Sequence, residues 1–138
     1  MEQIFIFIGN HPLLVGAFVL LLVLFIRNEI NRGGTNVSAQ QLVDMVNNSD
    51  AVVLDLRDQA EFEQGHIVDS LNIPFANLES RIDELTKYKD KPIVLACKMG
   101  QHAGSAGAML RKAGYENVSR LRGGITEWRG QSMPVVKS

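Results

Sequence analysis

The chain has 138 residues, a net charge of −1 and 46% hydrophobic residues, which are unevenly spread along it. Its length allows one compact domain and little more, and its near-neutral charge argues against nucleic acid as a partner. The single cysteine, Cys97, excludes an internal disulfide framework and a cysteine-rich zinc site.

An uncharged apolar run, LLVGAFVLLLVLFI, occupies residues 13–26, and a shorter apolar stretch, residues 4–8, precedes it. A membrane-spanning helix needs about 20 residues, a length that this run reaches if the helix begins near Pro12 and continues to Ile30. A secretory signal peptide requires basic residues before its apolar run, and no Lys or Arg precedes this one. A core helix of a soluble domain would show a polar stripe, and this run has none. We therefore interpret residues 1–30 as a transmembrane anchor.

Two arginines, Arg27 and Arg32, follow the apolar run directly. By the positive-inside rule they predict that the C-terminal part of the chain faces the cytoplasm, where a lone thiol stays reduced. The polar, glycine-containing segment 31–37 (NRGGTNV) is interpreted as a linker, so that the domain would comprise residues 38–138.

Helix and strand patterns alternate from Ser38 to the C-terminus. Ser38 is a good N-cap and Gln41 stands at the capping-box position, which predicts a helix over residues 38–48. Further helical segments are predicted at residues 58–63, 78–85, 103–113 and 125–129, and short strands at residues 51–54, 71–73, 92–96 and 118–121. This alternation predicts an α/β fold with a parallel sheet covered on both faces, whose active groups lie where strands end.

Cys97 ends a predicted buried strand and is followed by a short loop and a helix, in the segment VLACKMGQHAGSAGAMLRKAG. Inward-facing backbone N–H groups and a helix dipole stabilise an anion in such a loop, here a nucleophilic thiolate. Gly100 and Gly104 permit the tight path, and Lys98 and His102 add donors and positive charge. The alternative interpretation is an inert buried cysteine beside two solvated side chains. The residues of this segment alone do not decide between a reactive and an inert cysteine.

Three motifs, in this order, resemble the rhodanese family. The first is VVLDLRDQAEFEQGHIVDSLNIPF (residues 52–75), the second is the Cys97 loop, and the third is GYENVSRLRGGITEWRGQSMPV (residues 114–135). The resemblance implies a single rhodanese domain, with a five-stranded parallel sheet flanked by helices and with Cys97 as the nucleophile that forms a persulfide. It implies no metal and no organic cofactor.

The function implied by this resemblance is sulfur transfer. Cys97 would take sulfane sulfur from thiosulfate or a persulfide donor and hand it to a thiol or to cyanide. The substrate-binding loop would comprise the six residues that follow the cysteine: Lys98, Met99, Gly100, Gln101, His102 and Ala103. The alternative is a membrane-tethered docking module with the rhodanese fold, which binds a membrane protein with little or no catalysis.

One residue of the loop departs from the family pattern. Many members have Cys-x-x-Gly-x-Arg, whereas His102 stands at the arginine position here. Arginine is always charged and binds an oxyanion through two donors, but histidine is only partly charged near pH 7. We therefore expect weak capture of thiosulfate. Cysteine phosphatases need an arginine six positions after the cysteine, and Ala103 at that position argues against a phosphatase.

The remaining motif residues are interpreted mainly as structural. Asp55 and Arg57 follow the first predicted strand and are expected to fix its end by pairing and by bonding loop backbone; the other interpretation places them at the mouth of the active site. His66 is expected to bond backbone rather than serve as a base for the cysteine. Trp128 is interpreted as a core residue, and Met99 as a packing residue or a substrate contact.

The order of anchor and domain, with a His-Pro pair before the apolar run, resembles the YibN-like proteins of the bacterial inner membrane. This resemblance implies a single-pass protein of that membrane whose rhodanese domain faces the cytoplasm. Its partners would be the lipid bilayer, a small sulfur-containing anion or protein persulfide, and an inner-membrane protein, but no nucleic acid.

Overall fold

The computed structural model describes residues 1–31 and 34–137, without the side chains of residues 29–31. The chain divides into two compact units, residues 1–31 and residues 32–138. Arg32, one of the two arginines used to predict the membrane orientation, lies outside the described residues.

The N-terminal unit consists of two helices, α1 (Glu2–Asn10) and α2 (Pro12–Asn31). Pro12 begins α2 as predicted, and residues 4–8 belong to a helix of their own. The large apolar side chains from Ile4 to Ile26 are exposed, apart from that of Val15, which is partly buried. Among the described residues, no single helix is long and apolar enough to cross a membrane; α1 and residues 12–28 reach that length together, with a bend of 97° between them.

The second unit contains a parallel sheet. Within the described residues its strands are β1 (Thr35–Val37), β2 (Val52–Asp55), β3 (Leu71–Asn72), β4 (Ile93–Ala96) and β5 (Val118–Leu121). Their order across the sheet is β1-β5-β4-β2-β3, and every neighbouring pair is parallel. The predicted five-stranded parallel sheet is therefore confirmed.

Strand β1 corrects the predicted linker over residues 31–37. Thr35 and Val37 pair with β5, and the backbone N–H of Arg122 donates to the Val37 carbonyl at 2.9 Å. The strand has three residues at the sheet edge, and only Val37 is buried. Such a short, mainly polar strand has no apolar run or alternation to reveal it, so the folded domain begins earlier in the sequence than predicted.

Five α-helices accompany the sheet in the described part of this unit: α3 (Ala39–Ser49), α4 (Gln59–Gln64), α5 (Leu78–Arg81), α6 (Ala103–Lys112) and α7 (Gly124–Gly130). The predicted capping box at the start of α3 is confirmed, since Gln41 N–H donates to Ser38 Oγ at 3.1 Å and Ser38 N–H to Gln41 Oε1 at 2.8 Å. These bonds satisfy backbone donors at the helix start.

The helix predicted over residues 78–85 is α-helical only to Arg81 and continues as a 3₁₀ helix, Ile82–Tyr88. Arg81 Nε donates to Glu84 Oε2 at 2.6 Å, and this hydrogen bond lowers the pKa of Glu84. Side chains three residues apart lie one above the other in a 3₁₀ helix, so the contact between Arg81 and Glu84 fits the 3₁₀ geometry of this segment.

The two faces of the sheet pack against different helices. Leu95 and Cys97 belong to a core cluster that contains residues of α5 and α6, whereas Val94 and Ala96 belong to one that contains residues of α3 and α7. This division follows from the alternation of side chains along a strand. It places Cys97 at the carboxyl end of the central strand β4, on the face covered by α6.

Candidate active site

Cys97 follows the last residue of β4 and is 2% exposed. The loop after it, residues 98–102, leads into α6, and Gly100 adopts a φ of +90° within it. That conformation is in the left-handed region, which favours glycine. The predicted junction of strand, tight loop and helix is therefore present.

The start of α7 holds the loop from one side. Ile125 N–H donates to the Cys97 carbonyl at 2.8 Å, and Thr126 N–H donates to the Lys98 carbonyl at 2.9 Å. Gly124, with a φ of +62°, permits this approach, because an added Cβ would overlap the Cys97 carbonyl oxygen and lie 2.8 Å from that of Lys98. Two loop carbonyls are thus occupied by α7.

Most backbone N–H groups of the loop, in contrast to these carbonyls, remain available to a ligand. In the part of the chain that the structure describes, no protein acceptor bonds the backbone N–H groups of Lys98, Gly100, Gln101 and His102. Met99 N–H donates at 3.0 Å to Oε1 of the Gln101 side chain, which also lies 3.7 Å from Cys97 Sγ. Free amides in a tight loop before a helix are donors for an anion.

A pocket of about 380 Å³ opens on Cys97. It is lined by three segments of the chain: Leu56, Arg57, Asp58 and Glu61; Phe75 and Ala76; and Cys97, Lys98, Gln101 and His102. The His102 ring stacks on Phe75, with 4.6 Å between ring centroids and 10° between the planes. The aromatic ring thereby holds His102 at the pocket wall.

The six predicted loop residues are not equivalent. Lys98, Gln101 and His102 line the pocket, whereas the other three do not. Met99 is 62% exposed, so the packing interpretation of this residue was wrong. Ala103 is buried at the first position of α6, in the core cluster beneath the loop.

The pairing of Asp55 with Arg57 that was expected from the sequence is present. Both side chains are buried, and Arg57 Nε and Nη2 donate to the Asp55 carboxylate at 2.8–3.2 Å. Arg57 Nη2 also donates to the Gly65 carbonyl at 2.7 Å, and Asn72 Nδ2 donates to the carbonyls of Asp55 and Arg57. The pair ties the end of β2 to the loop before β3, although Arg57 also reaches the pocket wall.

His66 is placed away from the pocket lining. Its Nδ1 lies 2.7 Å from the Phe62 carbonyl, and its ring stacks on Phe62 at 3.8 Å. Its backbone pairs with Val136 through two hydrogen bonds of 2.8 and 2.9 Å. The preferred interpretation, that His66 orders a turn through backbone bonds, is confirmed. Trp128 is likewise a core residue, 4% exposed.

Sequence reasoning missed six contributors to the site. Five of them line the pocket: Leu56, Asp58, Glu61, Phe75 and Ala76. The sixth, Gly124, carries the contact with the loop carbonyls. The spacing of residues within the Cys97 segment could not reveal them, because they lie about 20 to 40 positions from Cys97 in the sequence. The one local signal in the sequence was the Gly-Gly pair at positions 123 and 124, which is typical of a tight turn.

Within the described residues, no group of three or more His, Cys, Asp or Glu side chains could hold a metal ion. The site therefore consists of a buried thiol, loop amides and a pocket whose charged residues have both signs.

Comparisons with known proteins match this geometry. The model of the rhodanese-like domain family matches residues 38–131. The uncharacterized protein YibN of Escherichia coli K12 is 33% identical over 99% of both chains, and a sulfurtransferase of Allochromatium vinosum is 34% identical over 78% of this chain and 95% of its own. The crystal structure of a rhodanese-related protein from Thermoplasma volcanium has a TM-score of 0.68 and 29% identity, and the match covers 75% of this chain and 99% of that one. The chain therefore belongs to the rhodanese-like domain family and contains a single such domain.

Proposed function

We propose that this protein is a sulfurtransferase in which Cys97 carries sulfane sulfur as a persulfide. The observation that carries the proposal is the pairing of a buried thiol with loop amides that have no protein acceptor among the described residues. Those amides are placed to stabilise a thiolate and then the anionic outer sulfur of a persulfide. The similarity to a relative named as a sulfurtransferase adds support.

The reaction has two displacement steps at sulfur. First, the Cys97 thiolate attacks the outer sulfur of a donor such as thiosulfate; the Sγ–S bond forms, the S–S bond of the donor breaks, and sulfite leaves with the electron pair. Second, cyanide or a thiolate attacks the outer sulfur of the persulfide. The bond to the acceptor forms, the persulfide S–S bond breaks, and the Cys97 thiolate is regenerated.

Thiocyanate formation from a sulfur donor and cyanide tests this function. We expect turnover by the full-length chain purified in detergent, and background rates for Cys97→Ser, because the serine hydroxyl is a far weaker nucleophile than a thiolate. Wild-type turnover by Cys97→Ser, or no turnover by the wild type with either thiosulfate or glutathione persulfide, would reject the proposal in favour of the docking module.

The donor is proposed to be a persulfide in preference to thiosulfate. His102 occupies the position at which an always-charged arginine would bind the thiosulfate dianion. Asp58 and Glu61 add negative charge to the pocket wall. The Arg57 charge is already paired with Asp55. A donor with less negative charge is therefore favoured at this pocket.

His102→Arg should raise kcat/KM for thiosulfate by about tenfold, because a charged bidentate donor binds an oxyanion more strongly than a partly charged ring. An arginine can also stack on Phe75, so the pocket wall should persist. The comparison is steady-state kinetics with thiosulfate and with glutathione persulfide. An unchanged or lower value for thiosulfate would show that this position does not limit its capture.

We further propose that residues 1–30 anchor the protein in the bacterial inner membrane, with the domain facing the cytoplasm. The support is the uncharged apolar run over residues 13–26 and the exposure of the large apolar side chains from Ile4 to Ile26, among which only Val15 is partly buried. Contiguous exposed apolar surface of this kind marks a membrane or protein contact.

Alkaline carbonate washing of membranes from expressing bacteria tests the anchor. We expect the wild-type chain to stay in the membrane pellet, and Leu20→Arg combined with Leu24→Arg to be released, because charged side chains in the apolar run oppose insertion. Release of the wild-type chain by carbonate would contradict the anchor.

A further inference from the structure

The amide oxygen of Gln101 contacts the same groups that a sulfur donor must reach. Gln101 Oε1 lies 3.7 Å from Cys97 Sγ, where it accepts the thiol S–H, and it accepts the Met99 N–H at 3.0 Å. Cys97 is 2% exposed, whereas Gln101 is an exposed residue of the pocket wall. An exposed, movable side chain thus contacts the buried reactive atom.

This contact places the amide oxygen of Gln101 against the reactive sulfur. A carbonyl oxygen is the negative end of the amide dipole and an acceptor only. At 3.7 Å from Cys97 Sγ, its partial negative charge opposes negative charge on the sulfur during attack on a donor. It also occupies the Met99 N–H, which would otherwise be available to an anion.

We propose that Gln101 is a positioning residue whose amide oxygen opposes negative charge on the Cys97 sulfur until a sulfur donor displaces the amide. The inference rests on the proposed sulfurtransferase function and identifies the residue that controls when the thiol becomes reactive. Displacement requires the loss of one ordinary hydrogen bond and one weak bond from a thiol. On displacement the Cys97 proton passes to solvent, and the Met99 N–H becomes free to donate to the outer sulfur of the persulfide.

Alkylation by iodoacetamide measures the reactivity of the thiol directly, since the thiolate displaces iodide. For the full-length chain at pH 7 we expect Gln101→Ala to react about fivefold faster than the wild type, as expected for the loss of one neutral hydrogen bond. Gln101→Glu should react more slowly, because a full negative charge beside the sulfur repels the attacking anion. Gln40→Ala removes an exposed glutamine of α3 and is the matched control, with a wild-type rate expected.

Alkylation of the protein that already carries the Cys97 persulfide distinguishes this role of Gln101 from steric shielding of the sulfur. Once glutathione persulfide has converted Cys97 to the persulfide, the amide is already displaced, so wild type and Gln101→Ala should be alkylated at rates within about twofold of each other. Equal rates for the two unloaded proteins would overturn the proposal. A difference that persists unchanged after loading would also overturn it.

Loading is verified by mass before alkylation. A failure of both proteins to gain a sulfur atom would be a failure of the proposed sulfurtransferase function, whereas the rates of the unloaded thiols test the role of Gln101. The two results are therefore distinguishable.

Discussion

Gly124→Ala should abolish most sulfur transfer and destabilise the domain by about 2–5 kcal/mol, the sum of left-handed strain and overpacking. Gly124 has a φ of +62°, and an added Cβ would overlap the carbonyl oxygen of Cys97. The loop and the start of α7 must then separate, which breaks the hydrogen bonds from Ile125 and Thr126. A displacement of about 1 Å at a reacting group can cost about 100-fold in rate, so we expect a loss of that size.

Gly130→Ala is the matched control for this substitution. Gly130 ends the same helix, its φ is not in the left-handed region, and a Cβ there would meet nothing within 4 Å. Thiocyanate formation and urea unfolding of both variants provide the comparison. A Gly124→Ala protein that behaves like Gly130→Ala would contradict the proposed contact between loop and helix.

Asp55→Ala should destabilise the domain by about 3–5 kcal/mol, because it leaves the Arg57 charge buried without its partner. Asp55 is fully buried, and its carboxylate accepts three side-chain hydrogen bonds from Arg57 within 3.2 Å. Asp55→Asn should lose less, since its amide oxygen can still accept from the guanidinium. Unfolding of the full-length chain in urea can be followed through the single tryptophan, Trp128, which is buried in this domain.

The exposed Arg81–Glu84 pair supplies the control for the buried pair. Glu84→Ala should leave the urea midpoint close to the wild-type value, because exposed ion pairs contribute little. Equal shifts for Asp55→Ala and Glu84→Ala would show that burial does not determine the contribution of the Asp55–Arg57 pair.

The central strands β2 and β4 were predictable because their residues are mainly apolar on both faces. Each appears in the sequence as a short apolar run, which in β2 ends at Asp55, and the predicted and observed bounds agree within one residue. β1 was not predictable in the same way, since its two exposed residues, Thr35 and Asn36, resemble a loop. Its place in the sheet depends on pairing with β5, a long-range contact that local pattern does not report.

The residues of the candidate site likewise include some that are close in the sequence and some that only the fold brings together. Cys97, Gly100 and the helix after them are consecutive in the sequence, so their chemistry could be inferred from spacing alone. Phe75 and Gly124 reach the loop only through the fold, and no local signal assigns them to it. Met99 was misassigned because an apolar residue in a loop gives no indication of whether its side chain packs or faces solvent.

The measurement that tests the central claim most directly is the mass of the intact full-length chain after incubation with thiosulfate or glutathione persulfide, with Cys97→Ser alongside. The account predicts a gain of about 32 Da, one sulfur atom, in the wild type only, which cyanide reverses as thiocyanate forms. No gain with either donor, or the same gain in Cys97→Ser, would contradict a persulfide on Cys97.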